Sequence, residues 1–145
     1  MKYFAYGSNM DPEQMAHRCP GAVALGPARL EGHRLTFTWD STFWRGGVGD
    51  VVATLGDEVW GVLWEISDEN ERALDRYEGI DKDVYRRATV TVEHEGGTVE
   101  ALIYVATATD YKAPSKRYMR ALVRGARAHG LPADYVAQLE GIAQG

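Results

Sequence analysis

Apolar residues along this chain recur at two periods, one suited to strands and one to helices, and strand-like segments dominate the middle while helix-like ones gather at the end. Tyr3-Phe4-Ala5-Tyr6 is a short aromatic run of strand character that stops at Gly7-Ser8-Asn9. Asp11-Pro12-Glu13 then reads as a helix start for residues 12–18, with Asp11 as N-cap, Pro12 at the first helical position and Glu13 at the positive end of the dipole. A glycine-punctuated connection over residues 21–26 leads to an alternating strand, 33–39, with Leu35, Phe37 and Trp39 on one side. Residues 41–50 read as an irregular loop. Its three glycines beside Trp44 fit either a close backbone approach or a flexible connection.

Residues 51–55 and 59–66 flank Gly56-Asp57-Glu58 and predict a hairpin. The second arm is apolar on both faces, Trp60, Val62, Trp64 and Ile66 against Val59 and Leu63, as in a sheet covered on both sides. A second hairpin is predicted from residues 85–93 and 98–106, turning at Gly96-Gly97. Ser67 caps a helix that runs to about Glu78, where Gly79 stops it. Ser115 begins a longer helix with Met119, Leu122, Val123 and Ala126 at core spacing, ended by Gly130 and Pro132. A last helix spans about residues 133–142, with Tyr135, Val136, Leu139 and Ile142 on one stripe. Clustered strands followed by clustered helices predict an α+β fold.

Composition narrows what such a fold can be for. With 145 residues, 45% hydrophobic and 26% charged, the expectation is one globular domain over residues 1–145. The net charge of −5 and scattered basic residues leave no phosphate-binding footprint, so no nucleic-acid partner is expected. Cys19 is alone, which excludes an internal disulfide framework, and His17, His33, His94 and His129 show no ligand spacing, so no metal is expected. No run reaches transmembrane length and no signal peptide is apparent, so the expected setting is cytoplasmic, with no membrane partner.

Three features could carry chemistry. The strand tip, glycine turn and helix start around Gly7, Ser8 and Asn9 aim several backbone N–H groups at one spot, which suits an anion; taken alone, the same turn is equally an ordinary strand-to-helix connection. Glu78 lies four residues after Leu74, on the helix side marked apolar by Leu74 and Tyr77, while Arg72, Asp75 and Arg76 take the outer side. An inward carboxyl in a last helical turn has its pKa raised by desolvation and by the dipole, the condition for accepting and returning a proton. A solvated glutamate at a frayed end is the alternative. Tyr118 shares a helix face with Leu122, and Tyr85 opens a strand; each is either a core ring with its hydroxyl at a rim or a ligand contact. There is no Gly-x-Ser-x-Gly elbow, no Walker loop and no Gly-x-Gly-x-x-Gly. Ser8 reads as a donor rather than a nucleophile, and Cys19 as a small buried residue.

Tyr3-Phe4-Ala5-Tyr6-Gly7-Ser8-Asn9 resembles the signature loop of the gamma-glutamylcyclotransferase family. Trp44-Arg45-Gly46-Gly47 and Gly56-Asp57-Glu58-Val59-Trp60-Gly61-Val62 resemble the family's central segment. Leu74-Asp75-Arg76-Tyr77-Glu78-Gly79 resembles its catalytic-glutamate segment, and Pro114-Ser115-Lys116-Arg117-Tyr118, continued by Gly125-Ala126 and His129-Gly130-Leu131-Pro132, its C-terminal helix and exit turn. These blocks follow the family order over most of the chain. Met10 departs from a common leucine, and Gly49 from an expected alanine.

The resemblance implies a mixed β-barrel with flanking helices and an enzyme that converts gamma-glutamyl amino acids or amines to 5-oxoproline. It implies Glu78 as the general acid/base. Tyr3, Phe4, Ala5, Tyr6, Gly7 and Ser8 would hold the glutamyl group, with Asn9 supporting the turn and Tyr118 closing the pocket. No cofactor or metal is implied; the partner is a small gamma-glutamyl substrate, and a homodimer is a family-level expectation. The alternative from another class is a non-catalytic ligand-binding or interaction module on the same barrel.

Overall fold

The computed structural model describes residues 1–107 and 110–144. Five strands close a barrel in the order β1-β3-β2-β4-β5, formed by β1 (Lys2–Ala5), β2 (Val23–Ser41), β3 (Gly46–Glu65), β4 (Tyr85–His94) and β5 (Gly97–Ala106). All neighbours run antiparallel except β1 and β5, which meet in parallel at Tyr3 and Leu102. Four helices flank it: α1 (Pro12–Arg18), α2 (Asp68–Tyr77), α3 (Lys116–Ala128) and α4 (Ala133–Gln144).

The β4–β5 hairpin turns one residue earlier than expected, at Glu95 and Gly96, both at positive φ, the conformation a two-residue hairpin turn requires. The first hairpin is different. Instead of two arms folding on each other at Gly56, β3 is one long strand whose whole length pairs with β2. Val51 and Ala53 face Leu35 and His33, while Val59 and Val62 face Leu30 and Pro27. The expected turn is a bulge: β3 advances five residues, from Ala53 to Glu58, while β2 advances two, from His33 to Glu31. Gly56 takes a positive φ there and Leu55 stands fully in solvent. A glycine-marked bulge and a glycine turn give the same local signal, and only a partner reaching both arms separates them.

The segment expected as an irregular loop is also mostly strand. The β2–β3 turn occupies only residues 42–45, and β3 starts at Gly46. Its glycines are there for close backbone approach to the segment before α3. A Cβ at Gly47 would lie 2.0 Å from the Lys112 carbonyl oxygen, and Gly47 N–H donates to Ala113 O at 2.9 Å. Likewise, the glycine-punctuated connection after α1 is shorter than expected, because β2 already begins at Val23.

Two apolar clusters follow from the two-faced strands. Phe4, Leu30, Val51, Val59, Leu63, Val92 and Ile103 meet inside the barrel. Val62, Trp64 and Tyr104 join Met10, Met15, Leu74, Met119, Leu122 and Leu139 beneath the helices. Burying each such side chain stabilises the fold by roughly 1.5–3 kcal/mol. The helix boundaries match their signals. Ser67 caps α2 in a reciprocal capping box with Asn70, Gly79 ends it in the left-handed conformation, and Ser115 caps α3. Asp11 sits at the N-cap of α1 yet makes no side-chain cap bond; its carboxylate instead receives Arg124 Nε at 3.2 Å and Nη2 at 2.8 Å. A charge-assisted pair from α3 outcompetes a neutral backbone donor.

Candidate active site

The end of β1 delivers Tyr6 and Gly7 to a 3-10 turn, Ser8–Met10, that is buried throughout. Met10 and Asp11 N–H close the turn on Gly7 O and Ser8 O. Helix α3 presses against it at Gly125, where a Cβ would lie 2.4 Å from the Met10 carbonyl carbon. From α1, Gln14 donates to Ser8 Oγ at 2.6 Å and to Asn9 Oδ1 at 2.9 Å, and Arg18 donates to the same Oδ1 at 3.1 Å. With both lone-pair directions of its carbonyl taken, the Asn9 amide must turn its N–H groups the other way.

Those N–H groups meet Glu78. Asn9 Nδ2 donates to the Tyr3 hydroxyl at 2.9 Å and to Glu78 Oε1 at 3.4 Å. Glu78 is the C-cap residue of α2, half-buried, with its carboxyl enclosed by protein and accessible from the cavity. Burial pushes its pKa up from the ordinary carboxylate range to about 7, and the Arg18 guanidinium acts against that rise. Leu74 is fully buried on the same helix, as the periodicity requires. Tyr77 is not core, however: it is half exposed and lies beneath Arg18, whose guanidinium carbon is 4.6 Å from the ring centroid. Asp75 is not simply an outer residue either, since it accepts the Tyr104 hydroxyl at 2.6 Å and pairs with Arg87.

Tyrosines surround the carboxyl. The Tyr118 oxygen accepts Gly49 N–H at 2.7 Å and faces the backbone N–H of Ser8. With its acceptor positions facing backbone, its own proton remains to be donated into the cavity. Tyr85 donates to Gly49 O at 2.6 Å, and Tyr6 to Tyr104 O at 2.6 Å. Burial holds the phenols of Tyr3, Tyr6, Tyr85 and Tyr118 well above their usual range, so they are neutral donors. Gly49 is therefore a backbone hub. Its neighbour Asp50 anchors it, accepting Val51 N–H at 2.9 Å and Ala106 N–H at 3.0 Å. Burial raises the Asp50 pKa while these donors oppose it.

The cavity, about 1000 Å³, is lined by Tyr3, Phe4, Tyr6, Gly7, Ser8, Asn9, Glu78 and Tyr118 among others. Of the predicted site residues, Ala5 is not in the lining and is buried in the core beside Tyr3, and Phe4 is fully buried with its ring inside the barrel. The Ser8 hydroxyl is bonded to Gln14, not to a histidine. Among the described residues no three His, Cys, Asp or Glu side chains group as a metal site, and no helix is long and apolar enough to cross a membrane.

The chain and its fold have known counterparts. The model of the AIG2-like family matches residues 58–139. Gamma-glutamylcyclotransferases from Bos taurus and Homo sapiens are 37% and 35% identical to the chain over 145 residues, covering 97% of it and 77% of each relative. The chain belongs to the gamma-glutamylcyclotransferase family. A solved structure described as a gamma-glutamyl cyclotransferase superposes with a TM-score of 0.93 at 33% identity, covering 97% of this chain and 86% of the other. YkqA from Bacillus subtilis superposes with a TM-score of 0.86 at 27% identity, over 99% of this chain and 54% of that one. The mixed barrel with flanking helices expected from the resemblance is the fold observed.

In this family member, three site residues escaped the sequence reading. Gln14 and Arg18 stand one helical turn apart on α1, and that i, i+4 spacing was the available signal for a polar face turned toward Asn9. Asp50 interrupts the otherwise apolar or glycine run Val48-Gly49-Asp50-Val51-Val52, an acid where a barrel strand should be buried. Asn9, expected only to support the turn, also reaches the carboxyl of Glu78.

Proposed function

We propose that the protein is a gamma-glutamylcyclotransferase that converts gamma-glutamyl amino acids, or gamma-glutamyl amines, to 5-oxoproline and the free amino acid or amine, with Glu78 as its general acid/base. The observation that carries the reading is Glu78: a carboxyl in the cavity, with its pKa raised to about 7, tied through Asn9 to the turn after β1.

The chemistry asks for little more. The substrate's free α-amine attacks its own γ-carbonyl, so nucleophile and electrophile are already in one molecule, and the cavity has to hold it in the folded conformer. As the new C–N bond forms, the attacking nitrogen becomes cationic and the carbonyl oxygen anionic. The Glu78 carboxylate takes the proton from the attacking nitrogen. It then returns that proton to the departing nitrogen as the old C–N bond breaks and the carbonyl reforms. A carboxyl with a pKa near neutrality can do both. Backbone N–H groups around residues 7–9 and the Tyr118 hydroxyl are the donors available to the glutamyl group and the oxyanion.

The test is release of 5-oxoproline from gamma-glutamyl amino acids, gamma-glutamyl-ε-lysine and gamma-glutamyl amines. Turnover of one class, lost in a folded Glu78→Gln variant, is expected. Near-wild-type turnover by that variant would remove Glu78 from its role, and no turnover of any substrate by the parent protein would reject the enzyme.

A further inference from the structure

The cavity mouth carries aromatic rings that the ring-closing chemistry does not use. Phe43, in the β2–β3 turn, is 63% exposed, and Trp39, near the end of β2, is 36% exposed; both line the cavity. An exposed ring in a turn is ordinarily mobile, but this turn is clasped. The Arg117 guanidinium lies over both Phe43 and Trp44, 4.9 Å and 4.7 Å from the ring centroids, and the same side chain donates to the Phe43 carbonyl oxygen. Phe43 meets Trp44 edge-on at 5.0 Å, and Trp44 meets Tyr118 edge-on at 5.2 Å. A continuous line of rings thus runs from the solvent edge to the hydroxyl that touches Gly49 N–H.

We propose that Trp39, Phe43 and Trp44 form the subsite for the side chain of the departing amino acid, and that the enzyme favours gamma-glutamyl substrates whose leaving group is large and apolar. The inference rests on the cyclotransferase reading. With the glutamyl end held beside Tyr118 and the turn after β1, the remainder of the substrate extends toward the mouth, along the rings. An apolar side chain laid there removes from water both its own surface and that of rings now exposed, a gain that a short side chain cannot match. Because the wall is held before substrate arrives, little ordering opposes the contact.

The experiment compares kcat/KM for gamma-glutamyl-phenylalanine and gamma-glutamyl-alanine, followed by 5-oxoproline release. The parent protein should prefer the phenylalanine substrate by roughly 10- to 100-fold, the range a hydrophobic subsite supplies. The ratio should fall toward one in Phe43→Ala and in Trp39→Ala, and Phe43→Tyr, which keeps the ring, should retain it. Equal rates in the parent protein, or an unchanged ratio in both alanine variants, would overturn the subsite while leaving the cyclotransferase reading intact. Turnover of neither substrate, nor of any other gamma-glutamyl compound, would overturn both.

Discussion

The Asn9 amide and the Glu78 carboxyl, 69 positions apart in the chain, lie 3.4 Å apart, and the same amide nitrogen holds the Tyr3 hydroxyl at 2.9 Å. Gln14 and Arg18 occupy the amide oxygen and so decide which way the side chain faces. Asn9→Ala should therefore free the carboxyl to rotate. The expected result is a fall in kcat of about tenfold or more with a smaller change in KM, the pattern of a group that positions the proton-transfer residue. Steady-state kinetics with one good substrate checks it; a pure KM effect would make Asn9 a substrate contact instead.

The pH dependence of turnover should report Glu78. Proton abstraction needs the carboxylate, so kcat/KM should rise with pH through a midpoint near 7, where burial has placed this group. Arg18 opposes the shift by favouring the charged form, and Arg18→Gln should move that midpoint upward. A profile that loses amplitude at every pH without moving would show that Arg18 acts only through Asn9.

The same group has a cost for the fold. The folded-state pKa of Glu78, about 7, lies above the ordinary value of 4.5. Between those values the folded protein keeps a proton that the unfolded chain has released, so stability falls as pH rises through the window and stays lowered above it. Glu78→Gln removes the ionisation. At pH 8 the variant should be more stable than the parent by on the order of 1–3 kcal/mol, a range discounted for water in the cavity, and the gain should vanish near pH 4. Denaturant unfolding at the two pH values measures it.

Local signals were legible where one residue decides them. Ser67, Gly79, Ser115 and the Glu95-Gly96 turn act through their own backbone or nearest neighbours, and each was placed correctly or within a residue. Gly56 signals a turn where the structure has a bulge, because the two differ only in what the distant β2 does. The glycines of residues 46–49 were ambiguous for the same reason: their partners, Lys112, Ala113 and Tyr118, lie more than 60 positions away. Glu78 is marked by its place at the end of its own helix, four residues after Leu74. But Tyr77, the other residue of that apolar side, is half exposed, and it is the family motif that ranks Glu78 above a solvated glutamate. Arg18 and Asp50 carry weaker signals, an i, i+4 partner in Gln14 and an acid in an apolar run, whose purpose shows only when Asn9 and Ala106 are brought beside them.

Tyr118→Phe should act on two quantities at once. The hydroxyl offers its proton to the cavity and takes Gly49 N–H, which would otherwise be buried without an acceptor. Leaving that donor unpaired costs about 1–3 kcal/mol of stability, and loss of the O–H donor should raise KM with a smaller effect on kcat. A variant with unchanged stability and kinetics would return Tyr118 to a packing role.

The last prediction concerns a residue outside the cavity. Gly125 lies in the last turn of α3, where glycine is still a poor helix former, and alanine would ordinarily stabilise the helix by up to about 1 kcal/mol. Here the new Cβ would sit 2.4 Å from the Met10 carbonyl carbon and 2.6 Å from Asp11 N, both backbone atoms unable to swing aside. Either α3 retreats, stretching the Arg124–Asp11 pair, or the turn carrying Ser8 and Asn9 is displaced. Gly125→Ala should therefore lose about 1–3 kcal/mol from overpacking instead of gaining stability. It should also lower kcat, because a displaced Asn9 no longer meets Glu78. Thermal unfolding and turnover measured on the same preparation decide it: a more stable, fully active variant would mean that the helix and the turn are not in rigid contact.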